Sequence, residues 1–219
     1  ELALIWINAF WQHGKKMITR VFSFKAASKD LAIVVDASPW GVGGILAHIT
    51  SGKVVQAAAS RITESDEKQL GVKIGFAGSQ GILETLAIWV FLHLWRRFFT
   101  DRQRVPLLRS DSRAAISSAE KLASGTPFMN HLAAELALMM ELHDIVAPEV
   151  RHLPGKLNVC ADHTSRIYAP PENQECVPPE LAGVRIRDVV VPSAGRPFLL
   201  PSASLRPDLW SGGVEDEAE

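Results

Sequence analysis

The sequence predicts a mixed α/β domain, a five-stranded sheet of three antiparallel strands and then parallel strands, with helices on both faces. Three observations carry this. Short β-type runs joined by tight turns fill 31–60, and helical and strand patterns alternate beyond residue 80. Two strand runs, LAIVVD at 31–36 and VPLLRSD at 105–111, pass from apolar residues straight to an aspartate. A hydrophobic content of 47% over 219 residues is enough for a real core.

LAIVV opens the sheet, followed by GGILAHIT and VVQAAAS with Ser51-Gly52 turning between them. Positions 61–79 are polar and contain glycine, which reads as an exposed loop. In QGILETLAIWVFLHLWRRFF the apolar residues recur at i, i+1, i+4, i+5 from Ile82 to Phe98, the pattern of a helix with a broad buried face. The stripe of Trp89, Phe91, Trp95 and Phe98 is then mainly core. VPLLRS at 105–110 is the next strand. Helices follow in SRAAISSAEKLAS and from Phe128 to His143, then a strand near 146–153 and a short helix from about Asn158.

Three regions emerge. Residues 1–28, aromatic and then basic (Lys15, Lys16, Arg20, Lys25), read as a connector from an upstream domain. Residues 29–168 form the domain proper. Residues 169–219 hold eight of the thirteen prolines and end in VEDEAE, which predicts an extended, largely disordered tail. That tail has nine acids against four bases, net −5, leaving fifteen acids against nineteen bases, net +4, in residues 1–168. The overall charge of −1 therefore hides a mildly basic body that permits contact with phosphate. Two cysteines make no disulfide framework, and a reducing, intracellular setting, cytoplasmic or nuclear, is expected. The start ELALIWINAFW lacks both an initiator Met and the build of a signal peptide, as in a piece of a longer polypeptide. ILETLAIWVFLHLW is broken by Glu84 and His93, so no membrane span is expected.

If the two strands ending in Asp36 and Asp111 are adjacent and parallel, both carboxylates stand at one sheet rim. Glu84 lies early in the amphipathic helix at the border of its apolar face, aimed at the same rim, and Asp162 approaches from the short last helix. Acids gathered without matching bases repel one another unless cations neutralise them. All-oxygen ligands suit Mg²⁺ or Mn²⁺, and a pair of such ions is apparatus for phosphodiester cleavage. Taken singly, each acid reads as a turn residue or a solvated charge. The weight lies in four acids on four elements.

DASPWGVGG, the glutamate of QGILETLAIW, RSDSRAAI and HLPGKLNVCADHTSR resemble the four motifs of ribonuclease H domains, above all those following the polymerase in long-terminal-repeat retrotransposon reverse transcriptases. The resemblance spans about residues 29–168. It implies a ribonuclease H-like sheet, cleavage of the RNA strand of an RNA–DNA hybrid, two Mg²⁺ ions with Mn²⁺ as substitute, and a reverse transcriptase domain upstream in the same polyprotein. It also implies that Asp36, Glu84, Asp111 and Asp162 are catalytic metal ligands. His152, ten residues before Asp162, matches the family histidine that assists proton transfer or product release. Gly41, Gly43 and Gly44 match the turn into the second strand. Ser38, Ser112, Arg113, Lys156 and Asn158 are the expected substrate contacts, with Arg109 and Ser110 beside them. The long loop at 61–79 and His163 after Asp162 depart from the family pattern without removing a ligand.

Competing readings fare less well. Cys160 and His163 form a C-x-x-H with no second pair to complete a zinc site, and the Gly41–Gly44 run enters a strand where a dinucleotide loop would enter a helix. An inactive domain of the same fold, serving as a spacer or nucleic-acid clamp, and a related integrase-like nuclease remain as alternatives.

Overall fold

The computed structural model describes residues 30–99 and 105–189. The connector expected at 1–28, and residues 190–219 of the expected tail, lie outside the described residues. Strand β1 (Leu31–Ser38) is buried at every position, as a strand covered on both faces must be. β2 (Gly41–His48) and β3 (Val54–Arg61) follow it antiparallel. On its other side β4 (Leu107–Ser110) and then β5 (Glu149–His152) run parallel to it. A sixth strand, β6 (Ile186–Asp188), pairs in parallel with β3, giving the order β5-β4-β1-β2-β3-β6. The five expected strands thus have the expected senses, in the arrangement that the resemblance to ribonuclease H implies, and the sheet is one strand wider.

The β1–β2 turn is Pro39-Trp40, with Ser38 Oγ accepting from the backbone N–H of Trp40 (3.3 Å) and Gly41 (3.2 Å). The glycines expected to form that turn lie inside β2, and their reason is close packing. A Cβ on Gly44 would stand 2.6 Å from the Phe91 ring, and one on Gly43 would stand 2.2 Å from the Ser165 nitrogen. Adjacent strand residues face opposite ways, so this pair lets a helix press on each face of the sheet.

Helix α1 (Glu64–Leu70) occupies part of the stretch expected to be loop. Thr63 and Asp66 form a capping box, each side chain bonding the other's backbone, which starts a short helix without much apolar content. α2 (Gln80–Leu94) is buried from Leu83 through His93, because it lies between the sheet and two further helices, α3 (Arg113–Lys121) and α4 (Pro127–Leu142). This layer holds the main core, including Ile33, Val35, Leu46, Leu86, Phe91 and Leu108, with Trp89 and Trp95 buried as expected. The opposite face carries α5 (Val159–Ser165) over a smaller core of Val34, Ile45, Val54, Ala57 and Ala161.

Residues 169–189 differ from the extended, disordered tail that composition suggests. They include two short 3₁₀ turns and β6, and they seal the smaller core with Leu181, Val184 and Ile186. Prolines there fix an extended path while these three apolar side chains anchor it. Among the described residues no helix is long and apolar enough to cross a membrane.

Candidate active site

Parallel pairing of β1 with β4 matches Ala32 with Leu107, Ile33 with Leu108 and Val34 with Arg109. Continuing that register by two residues sets Asp36 beside Asp111, at the rim where both strands end. Asp36 is 5% exposed and faces α5: its Oδ2 accepts from Ser165 Oγ (2.9 Å) and its Oδ1 from Asn158 Nδ2 (3.2 Å). Burial, then the charges of Asp111, Asp162 and Glu84, raise its pKa to about 8, against an opposing pull from the Ser165 hydrogen bond. The three other acids are therefore all near enough to disfavour its ionisation.

Glu84, on the second turn of α2, is 8% exposed. Its Oε1 accepts from Gln80 Nε2 (3.2 Å), one helical turn earlier, and the same Gln80 amide also bonds the Ala37 carbonyl, tying the helix to the strand end. Burial, opposed by the Gln80 bond and aided by Asp111, lifts the Glu84 pKa to about 7. Glu84 Oε2 and Asp111 Oδ1 are buried without a hydrogen-bond partner. Asp111 also leans on the loop after β5, where a Cβ on Gly155 would come within 3.1 Å of its Oδ2. Asp162, in α5, turns partly outward to Arg166, whose Nε lies 2.8 Å from its Oδ1.

The other expected residues divide. β4–β5 pairing places His152 level with Ser110, one residue from Asp111, with its side chain exposed. Ser112 caps α3 by accepting from the Ala115 backbone, and Arg113 and Lys156 are exposed nearby in sequence to the acids. Ser38 and Asn158, expected as substrate contacts, are turned into the fold. Both are 1% exposed: Ser38 donates to the Ser165 carbonyl (2.7 Å), and Asn158 spends its amide on Asp36 and the Val35 carbonyl. They hold α5 to β1. Ser165 and Gln80, which the sequence motifs do not single out, each lie one helical turn from an acid, at i+3 from Asp162 and i−4 from Glu84.

No group of three or more His, Cys, Asp or Glu side chains among the described residues is arranged to hold a metal ion. The carboxylates have instead gone to separate partners: Asp36 to Ser165 and Asn158, Glu84 to Gln80, Asp162 to Arg166. Their chemistry still fits a hard divalent cation. The donors are all oxygen, two of those oxygens are buried and unsatisfied, and burial with neighbouring negative charge disfavours the ionised form of Asp36 and Glu84 unless a cation offsets it.

No family model matches the chain, and no curated protein matches it. Solved structures resemble it, among them the following three. LC11-RNase H1, isolated from compost by a metagenomic approach, is 16% identical with a TM-score of 0.48, over 62% of this chain and 91% of that one. RNase H1 from the halophilic archaeon Halobacterium salinarum NRC-1 is 18% identical with a TM-score of 0.46, over 61% and 92%. LC11-RNase H1 in complex with an RNA/DNA hybrid is 14% identical with a TM-score of 0.46, over 61% and 92%. For this chain, strand order and the register of β1 against β4 carry the fold.

Proposed function

We propose that this domain is a ribonuclease H that hydrolyses the RNA strand of an RNA–DNA hybrid, within a retroelement reverse transcriptase polyprotein. One observation supports it most: Asp36, buried near the end of β1, has its proton affinity raised by that burial first and then by Asp111, Asp162 and Glu84. Those four residues would hold the divalent ions. When bound, such ions supply a water of lowered pKa for attack on phosphorus and stabilise the leaving 3′ oxygen. The chain's own groups do the rest. Asn158 and Ser165 orient Asp36, Gln80 orients Glu84, and exposed His152 carries protons at the rim. Arg113 and Lys156 meet phosphates, and selection for RNA rests on 2′-hydroxyls and groove shape.

A catalytically silent domain of the same fold is the second reading, favoured by the ion pair of Arg166 with Asp162, which offsets one of the four charges without any metal ion. Cleavage assays on hybrid, duplex DNA and duplex RNA separate the two. Mg²⁺-dependent cut of hybrid alone, lost in Asp111→Asn with the fold retained, supports the nuclease; a wild type that neither cuts hybrid nor binds Mn²⁺ supports the silent domain. Equal cutting of duplex DNA points to the integrase-like alternative.

A further inference from the structure

A seven-residue helix does not hold itself in water, so α5, which carries Asp162 and Ser165, must take its position from what touches it. Its inner side is fixed by Ser38, Asn158 and the contact at Gly43. The segment that follows the helix departs and then returns to pack beside it on β3 and the smaller core. The chain leaves α5 at Arg166, and Gln174 Nε2 bonds the Ala169 carbonyl (2.7 Å). The segment then drops Leu181, 2% exposed, into the smaller core alongside Ala161 and half-buried Cys160 of the helix. β6 pairs Ile186, Arg187 and Asp188 with Ala57, Ala58 and Ala59, and the Val189 N–H reaches the Ala59 carbonyl at 2.8 Å.

The loop closes on itself at one point. Tyr168, three residues beyond the helix, donates its hydroxyl to Asp188 Oδ1 (2.5 Å), and Arg61 at the end of β3 stands 5.0 Å over the Tyr168 ring. A Cβ on Gly41 would come within 3.0 Å of both the Ser165 carbonyl and that ring. Tyr168 therefore joins β2, β3 and β6 at the foot of the helix bearing the fourth acid.

We propose that residues 169–189 are a strap that sets the position of α5, with Tyr168 and Asp188 as its clasp, and that the clasp tunes divalent-ion binding at Asp162 and Asp36. Tyr168 and Asp188 are positioning residues, acting through the helix and touching no substrate. The role in ion binding rests on that part of the proposed function in which the four acids hold divalent ions; the role in holding the helix does not.

The test uses the full chain as wild type, Tyr168→Phe, Asp188→Ala and Asp188→Asn, the last keeping an acceptor oxygen for the tyrosine. Mn²⁺ affinity without substrate is read by calorimetry, backbone exchange at 159–166 by mass spectrometry, and hybrid cleavage by Mg²⁺ titration. Tyr168→Phe and Asp188→Ala are expected to weaken Mn²⁺ binding about three- to tenfold, the worth of one hydrogen bond. They should hasten exchange across α5 and raise the Mg²⁺ needed for half-maximal cleavage by a similar factor, with KM for hybrid unchanged and Asp188→Asn close to wild type. Unchanged exchange in both variants overturns the strap. Faster exchange with unchanged Mn²⁺ affinity, in a wild type that binds it, reduces it to a purely structural element and overturns the tuning. A wild type that binds Mn²⁺ but leaves hybrid intact sinks the nuclease reading alone. A wild type that binds no Mn²⁺ sinks both that reading and the tuning, while exchange still decides whether the strap holds α5.

Discussion

Replacing Asp36 by Asn removes a charge that the folded, metal-free domain disfavours while leaving its hydrogen bonds satisfiable. The Asn carbonyl still accepts from Asn158, and its amide can donate to Ser165 Oγ, whose proton has the Asp162 carbonyl at 2.8 Å as an acceptor. Asp36 titrates at about 8 in the fold, from an ordinary value of 3.8. Because the folded state holds this proton more tightly than the unfolded chain, its contribution is fully present below about pH 4 and is lost as pH rises to about 8. Glu84, raised to about 7, adds a loss of the same sign over a narrower window. At neutral pH the Asp36 shift corresponds to a cost of about 4 kcal/mol. Local relaxation leaves roughly 1–2 kcal/mol of it, or about 2–8 °C in Tm for a domain of this size. Calorimetry in EDTA at pH 8 should show Asp36→Asn melting higher by that amount, with the gap closing toward pH 4. Saturating Mg²⁺ should raise the wild type and move the variant less. An Asn variant that melts at or below the wild type at pH 8 in EDTA would refute the electrostatic account.

Three other substitutions probe the frame around the acids. Gly43→Ala puts a methyl group 2.2 Å from the Ser165 nitrogen and should cost about 1–3 kcal/mol by urea unfolding, with activity falling at fixed Mg²⁺. Ser165→Ala removes the bond that holds the Asp36 pKa down, so the pH-dependent fall in metal-free Tm should extend to higher pH. Thr63→Ala breaks the capping box and should lower stability by about 1 kcal/mol without changing cleavage.

Asp36 and Asp111 were legible because a carboxylate directly after a run of apolar strand residues is costly to bury, and parallel pairing then puts β1 and β4 in register, although β1 itself runs two residues past Asp36 to Ser38. The inward roles of Ser38 and Asn158 were not legible. A polar residue beside a motif looks the same in sequence whether it meets a substrate or pins a helix, and only their 1% exposure separates the two. Helix α1 escaped notice because its start signal pairs Thr63 with an aspartate at the third position and its turns carry few apolar residues. The strap escaped for a related reason. Proline-rich composition reports a lack of regular structure, but Leu181, Val184 and Ile186 are enough to bind an extended chain to a sheet.

Gly155 gives the site a roof made of main chain. It follows Pro154, whose ring fixes φ at −55°, and its missing side chain is what lets the loop rest against Asp111. Main chain has no rotamers to flip, so at this contact only the carboxylate of Asp111 can swing aside. Under the proposed function, whatever approaches Asp111 from that side meets peptide and not a side chain, so the character of that flank is set by two residues that carry no reactive group.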